Sequence, residues 1–140
     1  MALILATWNR NIELVNLLLV NGASVNEKDS IGATALSEAS LNGKTKIAKL
    51  LLEKGANVNS EDKDGWTPLH FASAAGHLDM VKLLIANGAN VSAKANNPLN
   101  PKEFPPDVTS VKLASNFFHE EIVKEFFKND SKNESMEIGT

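Results

Sequence analysis

The stretch Asp62-Lys63-Asp64-Gly65-Trp66-Thr67-Pro68-Leu69-His70 decides how the rest of the chain reads. Thr67 offers a hydroxyl to the free N–H groups at a helix start, and Pro68 follows at the first helical position, where a missing N–H costs nothing. Ala72, Ser73, Ala74 and Ala75 then make a thin helix that a neighbour can approach closely, and Gly76 supplies the positive φ that ends it. A second helix is marked by Met80, Val81, Leu84 and Ile85, an apolar stripe at helical spacing, and Gly88-Ala89-Asn90 closes it.

Displaced by 33 residues, the sequence falls onto itself. Gly22, Gly55 and Gly88 share a column, as do Leu3, Leu36 and Leu69, and Ala6, Ala39 and Ala72. The outer-helix stripe recurs as Leu14, Val15, Leu18 and Leu19, then as Ile47, Ala48, Leu51 and Leu52. Each unit is therefore two short helices and a turn, too small to bury its apolar faces alone, and stacking of the units creates the core. A fourth unit emerges when the offset grows to 42: Ala114 meets Ala72, His119 meets His77, and Ile122, Val123, Phe126 and Phe127 reproduce the stripe. The nine extra residues fall within 95–108, a segment holding four of the five prolines, so an irregular loop is expected there in place of a hairpin. Glu120 and Glu125 stand in columns that earlier units fill with leucine, as a terminal, solvent-facing unit requires.

Residues 62–94, through Asp62-Lys63-Asp64-Gly65, Thr67-Pro68-Leu69-His70, Gly76-His77 and Gly88-Ala89-Asn90-Val91, resemble the ankyrin repeat. The resemblance implies an all-α solenoid of helix-turn-helix pairs joined by short β-hairpin fingers. About four repeats are expected over 1–130: a partial one at 1–28, then 29–61, 62–94, and 95–130 with the insertion and a capping helix, followed by a disordered tail at 131–140. The second unit, Thr34-Ala35-Leu36-Ser37, lacks the proline and histidine, and a weaker helix start is expected. Met1 enters at the threonine column, leaving Leu3, Leu5, Ile12 and Leu17 without a preceding unit. Either the array was cut from a longer one or this edge pairs with something, so a monomer or an edge-to-edge contact is expected.

Composition narrows the chemistry. With no cysteine, thiolate metal sites, cysteine nucleophiles and disulfides are excluded. No apolar run reaches the roughly 20 residues of a membrane span. A net charge of −3, with Arg10 the sole arginine among 14 basic side chains, argues against nucleic acid as partner; Lys44, Lys46 and Lys49 read as a solvated face. The excess of lysine over arginine points to a low-GC genome, and a cytoplasmic location is expected, or secretion as an effector if the source is an intracellular bacterium. No phosphate-cradling or nucleophile motif occurs, and the adjacent Glu120 and Glu121 point apart on a helix. In the family the histidines make hydrogen bonds between turns, which the resemblance assigns to His70, His77 and His119. No enzyme activity, metal or cofactor is expected.

Binding is what remains. The resemblance places a protein partner on the concave surface of fingers and first helices, whose side chains the packing leaves free. The helix columns there are Trp8, Leu41, Ala74 and Asn116, then Asn9, Asn42, Ala75 and Phe117. The fingers contribute Ser30, Ile31 and Ala33, then Lys63, Asp64 and Trp66. Trp8, Ile31, Leu41 and Trp66 are large apolar groups ringed by polar ones, the composition of an interface hot spot. Phe104 is expected as a clasp within the proline-rich loop. The expected function is an adaptor or scaffold, with a stoichiometric enzyme inhibitor or regulatory subunit, or an effector acting on host proteins, as alternatives.

Overall fold

A computed structural model of the chain describes residues 2–96, 108–117 and 119–128. The helices come in pairs: α1 (Ala2–Trp8) with α2 (Ile12–Val20), α3 (Ala35–Leu41) with α4 (Thr45–Glu53), and α5 (Pro68–Ala75) with α6 (Leu78–Ala86). After the insertion α7 (Ser110–Asn116) is followed by α8 (120–128). The first helices stack in the order α1, α3, α5, α7, and α2, α4 and α6 stack in a second row behind them. Residues of equal register make the core: Leu3, Leu36 and Leu69, Val15, Ala48 and Val81, and Leu51, Leu84 and Phe126 are buried in one continuous cluster. Each leucine so buried contributes about 1.5–3 kcal/mol relative to an exposed one, which is what a lone helix pair would forgo.

The helix starts follow from the threonine column. Thr67 Oγ1 accepts from the His70 N–H at 3.4 Å, and His70 Nδ1 accepts from the Thr67 N–H at 3.1 Å. The second unit makes the same reciprocal box with Ser37: Thr34 Oγ1 accepts from the Ser37 N–H at 3.2 Å and Ser37 Oγ from the Thr34 N–H at 2.8 Å. The start of α3 therefore keeps both bonds of the box without the histidine, and lacks only the proline that opens α5. A serine hydroxyl reaches the same N–H as an imidazole nitrogen. Thr109 repeats half of this box at α7, accepting from the Lys112 N–H at 3.4 Å.

The fingers are tighter than hairpins. The Asp29 N–H donates to the Ala33 carbonyl at 3.0 Å, and Asp29 Oδ1 accepts from the Ile31 and Ala33 N–H groups at 3.0 and 2.9 Å. Asp62 does the same for Asp64 and Trp66. Successive fingers are tied by the Lys63 N–H on the Ile31 carbonyl at 3.0 Å and the Asn96 N–H on the Asp64 carbonyl at 2.8 Å. No strand forms among the described residues; the β-character expected of the fingers is reduced to these turns and one antiparallel bridge, Ala95 with Val108. That bridge occupies the register of Asp62 with Trp66, so the base of a finger is kept on either side of the insertion, with N···O distances of 2.9 and 2.8 Å. The four prolines, Phe104 and the tail at 131–140 lie outside the described residues.

Asparagines stitch the turns behind the helices. Asn26 Oδ1 accepts from the Asn57 N–H at 2.7 Å while its Nδ2 donates to the Gly55 carbonyl, and Asn59 repeats this with Asn90 and Gly88. At the first unit Leu5, Leu14 and Leu17 are exposed, although the column of Leu14 is buried in every later unit as Ile47, Met80 and Ile122. Leu3, expected to be uncovered as well, is buried at 1 % exposure because α3 covers it from the other side. Phe127 departs from the buried stripe at the other end: it is exposed while Ile122 and Phe126 are not.

Candidate protein-binding groove

Stacking brings the first helices into one row and the fingers into another, so the side chains at their ends share one surface. Trp8 closes α1, Leu41 closes α3 and Asn116 closes α7, with Ala74 in the same register on α5. Trp8 and Ile31 are 62 % and 61 % exposed, and Leu41 and Phe117 are exposed too. Asn9, Ser30 and Lys63 are exposed; Asn42, Asp64, Ala75 and Asn116 are half-buried. The scaffold beneath is tightly held, since each of these fingers is fixed by four hydrogen bonds to one aspartate and by a fifth to the next finger.

Two of the expected contact residues also pack into the framework. Ala33 is buried at 8 % exposure, because its backbone closes the Asp29 turn over the start of α3. Trp66 is half-buried in a small second core with Ala95, Val108, Leu113 and Ala74, its Nε1 donating to the Asn96 carbonyl at 2.7 Å. Its ring lies 5.1 Å from that of Phe71 and 5.9 Å from that of His70. Trp66 thereby clamps the base of the enlarged finger, and Ala74 is drawn into the same cluster.

The three histidines are structural. His77 Nε2 meets the Leu41 carbonyl at 3.0 Å, and His119 Nε2 meets the Ala74 carbonyl at 3.0 Å, each capping the first helix of the unit before. His70 is buried; with Nδ1 accepting from the Thr67 N–H, Nε2 carries the proton and donates to the Val108 carbonyl at 3.1 Å. Burial lowers its pKa, against the opposing pull of the Val108 carbonyl. Among the described residues no group of three His, Cys, Asp or Glu side chains could hold a metal ion, and no helix is long and apolar enough to cross a membrane.

Two hollows flank the first unit. One, of about 370 Å³, is lined by Arg10, Lys44 and Lys46 at the start of α4, where the histidine column holds Lys44. The other, of about 260 Å³, lies in the groove itself, between Ala2, Ile4, Leu5 and Trp8 of α1, Asp29 of the finger and Glu38 of α3. Of its lining only Trp8 was singled out as a contact from the sequence. Asp29 reads as a turn residue, and Glu38 stands in the column of Leu5 and Phe71, which no single-unit pattern marks as open.

A family model described as ankyrin repeats, in three copies, matches residues 3–95. No curated protein matches the chain. The match spans the first three stacked helix pairs and the two fingers between them, and the chain belongs to the ankyrin repeat family.

Proposed function

We propose that the chain is a non-catalytic recognition module that holds a segment of a partner protein along the fingers and first helices, as an adaptor or scaffold. Ankyrin repeats are generally protein–protein interaction modules, typically without catalysis. The observation that carries the reading here is the exposure of Trp8 and Leu41 on the first helices and of Ile31 on a finger whose backbone is already fixed. Large apolar groups on a rigid support bind with little loss of conformational freedom, which is where affinity is usually forfeited. An interface of about 800 Å² per partner is ordinary for complexes of this kind.

The test is quantitative capture of a partner by the intact chain and by the triple variant Trp8→Ala/Ile31→Ala/Leu41→Ala. Each side chain is exposed, so the variant keeps its fold and its melting curve. A hot-spot residue accounts for about 2 kcal/mol or more, so loss of one alone weakens binding about 30-fold. A variant that retains the partner at full affinity refutes the proposal.

A further inference from the structure

The 260 Å³ hollow lies between the first two units, with α1 on one side and the Asp29 finger and α3 on the other. In the third unit the rings of Trp66, His70 and Phe71 lie against one another, with centroids 5.1 and 5.9 Å from that of Trp66. One repeat earlier the same positions are Ala33, Ser37 and Glu38. Of these three only Glu38 lines the hollow, where it sets a carboxylate beside Leu5 and Trp8 in the column that holds the Phe71 ring one unit later.

The floor of this space is apolar and its rim is acidic. Leu5 and Trp8 are 59 % and 62 % exposed, and Asp29 and Glu38 stand across from them. Among the described residues neither carboxylate has a cationic partner. Asp29 accepts two backbone N–H groups on Oδ1, and Glu38 meets only the Asn42 amide, at 3.4 Å. A purely apolar occupant would strip water from both carboxylates with nothing in exchange, and an acidic one would be repelled. A long aliphatic stem with a cationic head satisfies floor and rim together, the stem on leucine and the head near an indole face and two carboxylates.

We infer that this hollow receives a lysine or arginine side chain from an extended segment of the partner protein. The inference rests on the groove reading above and specifies the chemistry of its amino-terminal end. Glu38 supplies the uncommitted charge, Trp8 and Leu5 the apolar contact, and Asp29 a second charge fixed in place by its own turn.

The probe is a capped pentapeptide with arginine at the centre, leucine on either side and alanine at the ends, titrated into the isotope-labelled full chain. Its partner probe carries citrulline, which has nearly the same shape and no charge. The indole N–H signal of Trp8 reports on the hollow, and that of Trp66, engaged with the Asn96 carbonyl, serves as internal control. Expected are saturable shifts of Trp8 near ~1 mM for the arginine peptide. Exposed ion pairs of this kind make that peptide about threefold to fivefold tighter than the citrulline one, and the preference shrinks with added salt. In Glu38→Gln the preference falls by about half; this side chain makes no buried bond, so the fold is retained, and an unchanged melting curve verifies it.

Equal affinity of the two peptides, an unchanged preference in Glu38→Gln, or no shift of Trp8 with either peptide overturns the inference. So do Trp8 shifts that depend on protein concentration without peptide, which would assign the hollow to a second copy of the chain. The groove reading fails separately, when the triple variant keeps its partner. Equal binding of both peptides at Trp8 would leave that reading standing and remove only the preference for a cation.

Discussion

Gly43→Ala separates what a helix-ending glycine does through its backbone from what it does by leaving room. Gly43 and Gly88 both have positive φ, 68° and 90°. A Cβ on Gly88 meets nothing within 4 Å, whereas one on Gly43 stands 2.7 Å from Nδ1 of His77. A left-handed backbone costs an L-residue about 1–2 kcal/mol, offset by about 0.4–1 kcal/mol from the stiffer unfolded chain, so Gly88→Ala is expected to lose about 1 kcal/mol. At Gly43 the imidazole must also move, and its Nε2 contact to the Leu41 carbonyl at 3.0 Å is lost with it. That bond adds about 1 kcal/mol, giving a total near 2 kcal/mol.

The protein already contains the compensated form. Arg10 stands in the column of Gly43 with φ 62°, and the residue of the next unit in the histidine column is Lys44, which carries no ring to collide with. In a His77→Ala background the extra cost at Gly43 should therefore vanish, a coupling of about 1 kcal/mol in a double-mutant cycle. Urea titration of the four proteins gives the energies, and thermal melts should fall about 3–5 °C per kcal/mol for a chain of this size. Equal losses at Gly43 and Gly88, or strictly additive losses for Gly43→Ala and His77→Ala, would refute the steric account.

Three other outcomes follow from the same contacts. Burial holds the pKa of His70 below 6.5, so between the lowered value and 6.5 the unfolded chain binds more protons. Stability then falls as pH drops through that window and levels off below it; His70→Gln, which keeps an acceptor for the Thr67 N–H, should flatten the dependence in melts at successive pH values. Trp66→Ala should cost about 2–3 kcal/mol in urea titration, the low end for an aromatic because the ring is only half-buried, and near-zero loss would remove its clamping role. Leu17→Glu, at a position 57 % exposed whose counterpart in the fourth unit is Glu125, should change stability by no more than about 0.5 kcal/mol and raise solubility in precipitation assays.

The stacked helices were legible in the sequence because every unit must meet the same neighbours. Leu3, Leu36 and Leu69 repeat since each is buried by the helix row, and the glycine column repeats since each turn needs a positive φ. The insertion was legible only as a length. That the finger base survives it depends on Ala95 and Val108 exchanging two backbone hydrogen bonds, which demand no particular side chain and leave no mark on composition. The packing of Trp66 was hidden for a related reason. Its column holds Ala33 in the unit before, so its place looked unconstrained, but the wider finger ahead of it supplies Val108 and the Asn96 carbonyl as partners that unit two lacks.

The groove is hidden by the same logic that exposes the fold. A column is conspicuous when all copies agree, whereas the lining of a hollow can change from copy to copy: Glu38 stands in the column of Leu5 and Phe71, and Trp8 in that of Leu41 and Ala74. Each departure taken alone reads as a tolerable surface change. Only across the first interface, where Asp29 and Glu38 face the exposed Leu5 and Trp8, do such residues enclose a cavity with a charged rim. In a solenoid the informative comparison for recognition is therefore the difference between successive units across one interface. By that measure the first interface, with Trp8 and Glu38, is open, and the third, closed by Trp66 and Leu113, is not.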